Sequence, residues 1–500
     1  MTPDVTSPDL TSFDLFALAP ELTLLTTALA VLLIELFLHG PSKRYVNPVA
    51  VIGVLASLGW VIALAVDGTV RRSFGNMFVV DNYALLFKVF FLGTALFVLF
   101  LSYRYFSEIR TYQGEYYFLL LSAFVGMLLM PSARDLVMIF LALELVSVPG
   151  FVMAGLRKFD LRSNEGAMKF FLIGVLSVAV LLFGLSVVYG FTGTTDLVGV
   201  AQGLESAQRE PLLLASILFV IVGFGFKISA VPFHFWAPDT YESSPIPVTA
   251  FLSVASKAAG FAGLLQVCFV AFEPVADVYA PVLGVVAVLT MTLGNLTALQ
   301  QSNVVRLLGY SSIAHAGYML VPFALVQPGA PAANTAAFTA VLVYLLAYSA
   351  MNIGAFAVVA AVARSQPDRL LRGYAGLGVR APGLGIGLTL FLLSLAGAVP
   401  ILVGFWAKVY VLQATVVTPT PGTIALAAAV VVNSVIGLFY YLAIVRTMWM
   451  DEPTTREPVR PGFALNLAIV GLSVVVVVIG VYPQAIAGFA QVSTLVQAAP

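Results

Sequence analysis

Long apolar runs separated by short polar connections dominate the chain. A helix crosses the hydrocarbon core of a bilayer with about 20 mostly apolar residues, because lipid offers no partner for open backbone groups. Fourteen runs are candidate spans, of which the fourth is short and the twelfth is long and interrupted. They lie near 16–38, 46–66, 82–103, 116–131, 135–156, 168–191, 211–231, 246–272, 280–299, 303–326, 335–363, 383–413, 422–445 and 462–488. The pattern predicts an all-α polytopic membrane protein with about 14 transmembrane helices.

The connections between the runs are too short to hold a soluble domain, so we expect one integral membrane domain over 1–500. Within it we expect three N-terminal helices (16–103), two five-helix units (116–272 and 280–445) and a C-terminal helix (462–488). The first fifteen residues are polar and contain no basic residue. The first run is therefore interpreted as a retained helix rather than a cleaved signal peptide.

The composition supports a membrane protein. Of the 500 residues, 60% are apolar and 10% are charged, whereas soluble domains have about 45–50% and about 25%. This excess disfavours a soluble enzyme, a disordered chain and a nucleic-acid binder. The single cysteine, Cys268, excludes an internal disulfide and a multi-cysteine metal or iron–sulfur site. The three histidines, His39, His234 and His315, show no short metal-ligand spacing.

The basic residues test the number of spans and predict the orientation. If the chain begins outside, the odd-numbered connections are cytoplasmic and hold fifteen basic residues, whereas the even-numbered connections hold four, Arg71, Arg72, Arg134 and Arg209. This asymmetry follows the positive-inside rule, so both termini are predicted on the outer side. The fifteen are Lys43, Arg44, Arg104, Arg110, Arg157, Lys158, Arg162, Arg306, Arg364, Arg369, Arg372, Arg380, Arg446, Arg456 and Arg460.

The remaining five basic residues are all lysines inside predicted spans: Lys88, Lys169, Lys227, Lys257 and Lys408. A lysine at the centre of a membrane helix costs roughly 2.5–3.5 kcal/mol on insertion, so such a residue indicates a functional site. A buried ammonium group can release its proton, whereas a guanidinium group stays charged. Lysines in a partly hydrated membrane interior can therefore load and pass protons.

Three of these lysines stand at mid-span or near a proline within or at the end of an apolar run. Lys257 is near the middle of the eighth span, in SVASKAAGFAG, between small residues that allow close helix approach. Lys227 precedes Pro232 by five residues, and Lys408 follows Pro400 by eight. Each proline removes a backbone hydrogen bond and is expected to break its helix. Broken helices at membrane depth line a cavity or a site, so the three lysines are candidate functional residues.

Other ionisable side chains complete the candidate set. Glu144, mid-span in IFLALELVSVPG, is the expected counter-charge for one lysine. His315, in YSSIAHAGYML, has hydroxyl neighbours and is a candidate relay or a satisfied interior histidine. Lys169 lies near a helix start, where a structural role and a relay role are both open. Lys88 is interpreted as a side chain that reaches the interface from near a helix end, and Glu21 as interfacial.

The two predicted breaks, in the seventh and twelfth spans, stand five spans apart. Because five is odd, a repeat with this offset is inverted in the membrane. Inverted repeats with paired broken helices are typical of ion-transport proteins with sites near the midplane. We therefore predict two inverted five-helix repeats, spans 4–8 and 9–13, although Lys227 precedes its proline and Lys408 follows its own.

Three stretches closely resemble the antiporter-like membrane subunits of respiratory complex I. They are KISAVPFHFWAPDTYESSPIPVTAFLSVASK (227–257), VVRLLGYSSIAHAGYML (304–320) and SLAGAVPILVGFWAKVYVL (394–412). Within that family, ELVSVPGFVMAGLRKFDLRSNEGAMKFFLIG (144–174) is most similar to subunits of the N type of bacterial NADH–quinone oxidoreductase. The resemblance covers most of the chain, and the first stretch is highly specific.

The resemblance implies fourteen helices, two inverted five-helix repeats and a proton path along a central hydrophilic axis. By this resemblance, Glu144 and Lys227 look like the ion pair of the first half-channel. Lys257 looks like the central connecting lysine, and Lys408 like the corresponding residue of the second half.

Two further residues and one departure follow from the same resemblance. Lys169 matches a further family lysine, and His315 matches a residue of the central axis. At Pro400, the segment AGAVP has one residue more between Ala-Gly and the proline than the family usually has. The family also implies partners: other membrane subunits of complex I beside this chain, and NADH, FMN, iron–sulfur clusters and quinone in partner subunits, with no cofactor in this chain.

The sequence therefore predicts a proton-translocating subunit of a respiratory NADH–quinone oxidoreductase in the bacterial inner membrane, surrounded by lipid and without a redox centre of its own. The absence of a G-x-G-x-x-G motif and of a cysteine array agrees with this prediction. Three alternatives stay open. They are a subunit of a multisubunit Na⁺/H⁺ antiporter, a secondary carrier of an organic solute, and an assembly subunit whose charges only hold helices together.

Overall fold

The computed structural model describes residues 13–38, 43, 45–109, 113–207, 210–366, 369–453 and 458–492. Within these ranges the chain is a bundle of α-helices with one two-stranded sheet, which confirms the predicted all-α membrane fold. Four of the basic residues that predict the orientation, Arg44, Arg110, Arg209 and Arg456, lie outside the described residues.

The N-terminal part consists of three helices and a short hairpin. They are α1 (Ala19–Phe37), α2 (Val46–Asp67), β1 (Arg71–Ser73), β2 (Phe78–Val80) and α3 (Asn82–Ile109). The strands pair antiparallel, with Arg71 opposite Val80. Phe78 and Val80 pack with Leu18 and Leu64, so the hairpin covers the adjacent ends of α1 and α2.

The second part begins with α4 and ends with the eighth predicted span. Its helices are α4 (Gln113–Leu129), α5 (Leu136–Ala154), α6 (Leu161–Thr192), α7 (Leu197–Ser206), α8 (Pro211–Lys227), α9 (Trp236–Ser243), α10 (Ile246–Phe251) and α11 (Lys257–Gln266). Asp135 begins α5, because its carboxylate accepts hydrogen bonds from the backbone N–H groups of Val137 and Met138 at 2.8 and 3.3 Å. Such a cap satisfies N–H groups that have no partner inside the helix.

The third part contains the remaining helices. They are α12 (Ala276–Ala298), α13 (Val304–Leu320), α14 (Pro331–Val362), α15 (Leu377–Arg380), α16 (Pro382–Ala396), α17 (Val403–Val417), α18 (Pro421–Met450), α19 (Phe463–Val481) and α20 (Gln484–Val492). Asn303 caps α13 as Asp135 caps α5, and its side-chain oxygen accepts from the N–H groups of Val305 and Arg306 at 2.9 and 3.2 Å.

Each of the fourteen predicted spans falls on one of these helices or on a broken pair. Eleven segments of the described chain are long and apolar enough to cross a membrane, and α8, α16 and α17 are shorter apolar helices. The shorter helices belong to the seventh and twelfth predicted spans. The predicted breaks are present in both: α8 ends before Pro232, and Pro400 lies between α16 and α17.

Burial identifies the centre of the bundle. The segment Ile246–Ala271, which contains α10 and α11, is buried along its whole length, and α14 is buried over nearly all of its length. In contrast, α1, α2, α6, α18 and α19 are mostly unburied within the chain while remaining strongly apolar. Apolar side chains on these outer helices suit contact with lipid or with other membrane helices.

Backbone hydrogen bonds join the segment that begins α5 to the segment that follows α6. The N–H of Leu136, which begins α5, donates to the Thr195 carbonyl at 2.8 Å. The N–H of Leu197, beyond the end of α6, donates back to the Arg134 carbonyl at 3.0 Å. Both loops belong to connections that the basic residues predict on the outer side.

The same pairing recurs at α13 and α14. The N–H of Val304 donates to the Arg369 carbonyl at 3.0 Å, and the N–H of Leu371 donates to the Ser302 carbonyl at 2.8 Å. These loops belong to connections predicted on the cytoplasmic side. A capped helix and the segment after the following helix thus pair identically in both halves, at ends predicted on opposite sides, which supports the predicted inverted repeat.

The structure corrects the interpretation of Lys88 and Glu21. Lys88 is completely buried rather than extended toward the interface, and Glu21 is 4% exposed rather than interfacial. Lys88 Nζ lies 2.7 Å from Glu21 Oε1 and 4.9 Å from the centroid of the Phe78 ring. The ends of α1 and α3 are therefore joined by a buried ion pair under the hairpin. Sequence reasoning missed it because each residue stands near the end of its own span, and only packing brings them together.

Replacing one or both residues of the ion pair should affect stability differently, because only the single replacement leaves a buried charge without a partner. Lys88→Met is expected to lower the thermal unfolding temperature in detergent, because an unpaired buried carboxylate costs about 3–5 kcal/mol. Adding Glu21→Leu removes the stranded carboxylate and recovers most of the loss. Unfolding temperatures of the wild type, both single variants and the double variant check this expectation. A double variant less stable than both single variants would contradict it.

Candidate functional site

Lys257 lies at the centre of the bundle, in the most buried helix. That helix is irregular: the π-helical turns Leu252–Ser256 and Val267–Ala271 flank α11, and Lys257 directly follows the first of them. Such turns are frequent at functional sites. The ammonium of Lys257 donates to the carbonyl oxygen of Ser312 at 2.7 Å and to its hydroxyl oxygen at 2.5 Å.

One face of α13 connects Lys257 to the other candidates. Ser312, His315 and Tyr318 follow one another at intervals of three residues, so they lie on one side of the helix over roughly 9 Å. All three are buried. Ser312 binds Lys257, and the Tyr318 ring lies under the ammonium of Lys408. His315 lies between Ser312 and Tyr318 along the helix.

Both ring nitrogens of His315 face tyrosine hydroxyls. Nδ1 lies 2.9 Å from the Tyr344 hydroxyl, and Nε2 lies 3.1 Å from the Tyr441 hydroxyl, which is itself 2.5 Å from Ser311 Oγ. A hydroxyl both donates and accepts, and a neutral imidazole donates through one nitrogen and accepts through the other. This set of side chains can therefore pass a proton without moving its heavy atoms.

Lys408 stands just beyond the break in the twelfth predicted span. Its ammonium donates at 2.6 Å to the carbonyl of Ala396, a group left without a helical partner where α16 ends. Its Nζ also lies 4.9 Å from the centroid of the Tyr318 ring. Gly397 adopts a φ of 69°, and a Cβ there would stand 2.8 Å from Lys408 Cδ. Glycine thus permits both the turn and the approach of the lysine.

Lys227 is the last residue of α8 and occupies the break in the seventh predicted span. It is 3% exposed, and its ammonium donates to the hydroxyl of Ser147 on α5 at 2.9 Å. A Cβ on Gly260 would lie 2.8 Å from Lys227 Cγ, so the stem of Lys227 packs directly on α11. Gly260 is three residues beyond Lys257, so the Lys227 stem packs on α11 about one helical turn from Lys257.

The backbone groups released at this break find other partners. The indole N–H of Trp236 donates to the carbonyl of Phe226 at 3.2 Å. The N–H of Val231 donates to the hydroxyl of Thr290 at 3.0 Å. These bonds meet the requirement that backbone polar groups at membrane depth be satisfied inside the protein.

Glu144 is close to Lys227 but does not contact it. It lies three residues before Ser147, on the same side of α5, and among the described residues no ion pair within 4.0 Å joins it to Lys227. Its buried Oε1 has no hydrogen-bond partner. Ser147, which the sequence reasoning did not select, holds the ammonium instead. The role of Glu144 as counter-charge stays a prediction.

Lys169 differs from the other candidate lysines because its side chain is 42% exposed. Its ammonium lies 2.7 Å from Asp239 and 2.7 Å from Glu165. Arg306 also contacts Asp239, at 2.7 Å, and Glu242, at 3.0 Å. These side chains line a cavity of about 690 Å³ at the end of the bundle predicted to be cytoplasmic. Lys169 thus lies in a charged opening rather than among the buried lysines Lys227, Lys257 and Lys408.

Several contributors to the site were absent from the sequence prediction: Ser147, Ser312, Tyr318, Tyr344 and Tyr441. Three had a detectable signal. Ser312 and Tyr318 flank His315 at helical spacing in one stretch. Ser147 also follows Glu144 by three residues. Tyr344 and Tyr441 are 29 and 126 residues from His315 along the chain, so only the folded structure brings them to the ring.

Comparisons with known proteins identify the family to which the chain belongs. Residues 133–437 match the sequence model of the family described as NADH:quinone oxidoreductase/Mrp antiporter, TM. NADH-quinone oxidoreductase subunit N of Trichlorobacter lovleyi is 39% identical, over 96% of this chain and 97% of the relative.

Solved structures show the same fold. A chain of respiratory complex I from Thermus thermophilus with bound aureothin superposes with a TM-score of 0.77 at 30% identity, over 94% of this chain and 99% of that one. A chain of the Mrp complex from a Dietzia species superposes with a TM-score of 0.77 at 21% identity, over 98% of both chains, which shows likeness of fold alone. This chain therefore belongs to the NADH:quinone oxidoreductase/Mrp antiporter family of membrane proteins.

Proposed function

We propose that this chain is a proton-translocating subunit of the membrane arm of a respiratory NADH–quinone oxidoreductase, of the N type. Relatives at about 39% identity carry the name of that subunit, and the similarity covers nearly all of each chain. The proposal places the chain in a bacterial inner membrane, with both termini on the outer side. NADH, flavin, iron–sulfur clusters and quinone belong to partner subunits.

The observation that carries the proposal is the row of side chains along α13. Ser312 contacts Lys257, His315 lies between two tyrosine hydroxyls, and Tyr318 contacts Lys408. Ser312 and His315 carry exchangeable protons, Lys408 lies over the face of the Tyr318 ring, and the row lies in the buried centre of a bundle of apolar helices. Lys227 joins it through the contact of its stem with α11. We infer a path from Lys227 to Lys257, and through His315 to Lys408.

Proton uptake is assigned to the cavity around Lys169. Its opening is lined by acidic and basic side chains, including Glu165, Asp239 and Arg306, at the end predicted to be cytoplasmic. Asp239 lies on α9, directly after the break that follows Lys227. The cavity therefore connects the aqueous side to α9, the helix that follows the break after Lys227.

In this proposal, redox chemistry in the partner subunits drives proton transfer by changing the distance between Glu144 and Lys227. An ammonium and a carboxylate attract each other by about 4 kcal/mol at ~4 Å and about 2 kcal/mol at ~8 Å, at an effective dielectric constant of about 20. The structure holds them without a direct contact, with Ser147 bound to Lys227. A movement of α5 relative to α8 that brings Glu144 closer to Lys227 would stabilise the protonated form of Lys227. The reverse movement would favour transfer of that proton toward Lys257.

Replacing either Lys227 or Glu144 is expected to reduce pumping strongly without unfolding the protein. Lys227→Met and Glu144→Gln in the intact complex should each lower proton uptake into vesicles per NADH oxidised by roughly tenfold or more, since a positioned proton-transfer group contributes about 10²–10⁴ in rate. Lys88→Met with Glu21→Leu is the control, because that pair is buried but outside the row. Normal pumping by both row variants in an assembled complex would contradict the assignment.

The tyrosine contacts of His315 provide a sharper test. Tyr441→Phe removes only the hydroxyl that bridges Ser311 and His315, so pumping per NADH should fall severalfold while assembly is preserved. Tyr440→Phe is the matched control, because the Tyr440 hydroxyl donates to Asn295 and not to the histidine. Equal pumping by the two variants would show that the Tyr441 hydroxyl is not part of the path.

A second candidate function is exchange of Na⁺ for H⁺ in a multisubunit antiporter, favoured by the likeness of fold to a chain of the Mrp complex. Replacing Na⁺ by choline in vesicles that contain the purified complex distinguishes the two. We expect NADH-driven proton uptake to be unchanged. Sodium-dependent proton release without NADH oxidation would support the antiporter instead.

A further inference from the structure

The ammonium groups of Lys227 and Lys257 are bound on different helices. Lys227 donates to Ser147 on α5, whereas Lys257 donates to Ser312 on α13. Among the described residues, no hydrogen bond joins the two lysines, although the stem of Lys227 packs on α11. A proton that moves from one ammonium group to the other therefore needs a further side chain to carry it.

Ser229 lies in the helix break, two residues after Lys227. It is completely buried, and its φ of 60° places it in the left-handed region that favours glycine. Its hydroxyl makes no hydrogen bond to any other part of the chain that the structure describes. A serine in a strained backbone conformation, with a buried hydroxyl that has no fixed partner, indicates that the hydroxyl is used in function.

Tyr241 lies on α9, the helix that follows the break. Its ring packs on α13 beside Gly309, where a Cβ would lie 3.4 Å from Cδ2 of the ring. Ser312 follows Gly309 by three residues, about 4.5 Å farther along the same face of α13. The Tyr241 hydroxyl neighbours the hydroxyls of both Ser229 and Ser312, without a hydrogen bond to either. These three hydroxyl groups connect the break to the residue that binds Lys257.

Ion pairs fix the orientation of α9. The carboxylate of Asp239 accepts from Lys169 and from Arg306, each at 2.7 Å. Tyr241 is two residues farther along the helix, about 200° away around its axis, so its side chain points to the opposite side. The charges at the opening of the bundle therefore hold the tyrosine toward the interior, where it is completely buried.

A second tyrosine, Tyr348, also neighbours Ser312. Its hydroxyl donates to the Ser253 carbonyl at 3.2 Å and accepts from the Asn352 amide at 2.9 Å. The proton of Tyr348 is thus committed to the π-helical turn before Lys257. The Tyr241 hydroxyl has no such bonds, so it is able to accept from one neighbour and donate to the other.

We propose that the hydroxyls of Ser229 and Tyr241 carry the proton from Lys227 to Lys257. Transfer begins when the flexible end of the Lys227 side chain turns from Ser147 to Ser229. Each hydroxyl oxygen, including that of Ser312, gains a proton on one side and gives up its own on the other. The Lys227 ammonium becomes an amine, and the Lys257 amine becomes an ammonium. The inference rests on the proposed function, since it supplies one step of the proposed path.

Tyr241→Phe removes the hydroxyl and keeps the ring on α13. In the intact complex, proton uptake into vesicles per NADH oxidised should fall roughly tenfold or more, since a positioned proton-transfer group contributes about 10²–10⁴ in rate. Tyr116→Phe is the matched control, because it also removes a buried hydroxyl that faces a serine, Ser102 at 2.6 Å, but in the N-terminal part of the chain. We expect this control to pump as the wild type does.

Ser229→Gly separates proton transfer from backbone strain. Glycine adopts the left-handed conformation without strain, so the thermal unfolding temperature should be equal to or above that of the wild type. Pumping should nevertheless fall roughly tenfold, because the hydroxyl is lost. A purely structural role of Ser229 predicts unchanged pumping instead. In the double variant with Tyr241→Phe, the loss should equal the larger of the two single losses, since groups that act as a unit are not additive.

Lys227→Met in the same vesicles distinguishes this relay from the proposed function as a whole, with subunit composition determined for every variant. If Lys227→Met lowers pumping but Tyr241→Phe or Ser229→Gly pumps as the wild type does, the relay is wrong and the proposed function stands. If Lys227→Met also pumps normally, the proposed function fails and the relay with it. Losses that multiply in the double variant place the two hydroxyls on separate routes and overturn the relay.

Discussion

A charged ammonium group inside a membrane protein needs oxygen atoms within reach, and this requirement explains much of the structure. Lys227 finds the hydroxyl of Ser147, Lys257 finds Ser312, and Lys408 finds the carbonyl of Ala396. A regular apolar helix offers few such oxygens, because its carbonyls are already bonded and its side chains are aliphatic. These charges can therefore be placed only where the helices are irregular. Lys227 and Lys408 stand beside helix breaks, and Lys257 stands in an irregular helix.

The same requirement explains why residues of both predicted repeats meet at one place. Lys257 belongs to the first of the two predicted repeats, whereas Ser312, His315 and Lys408 belong to the second. The hydrogen bonds of Lys257 to Ser312 are thus made across the boundary between the halves. The paired loops that begin α5 and α13 hold each half by the same backbone pattern. Neither half by itself contains the row, since the central lysine comes from one and its acceptors come from the other.

The sequence was sufficient to predict features whose free-energy cost depends on one residue alone. A lysine in an apolar run is expensive wherever its partners are, and a proline removes a backbone hydrogen bond regardless of context, so the breaks near Pro232 and Pro400 could be predicted. It failed where the partner lies on another helix. Lys88 appeared able to reach the interface because Glu21, which pairs with it, is far away along the chain. The hydroxyl of Tyr441 at His315 was invisible for the same reason.

The position of the row on a single helix has a mechanical consequence. The three contacts of α13, at Ser312, His315 and Tyr318, are rigidly spaced because they belong to one hydrogen-bonded helix. Its first turn is fastened by Asn303 and by the backbone bond from Val304. A rotation of α13 about its axis would consequently shift all three contacts in the same step. Lysines that are distant from one another could then change partners simultaneously, with no chain of separate side-chain movements between them.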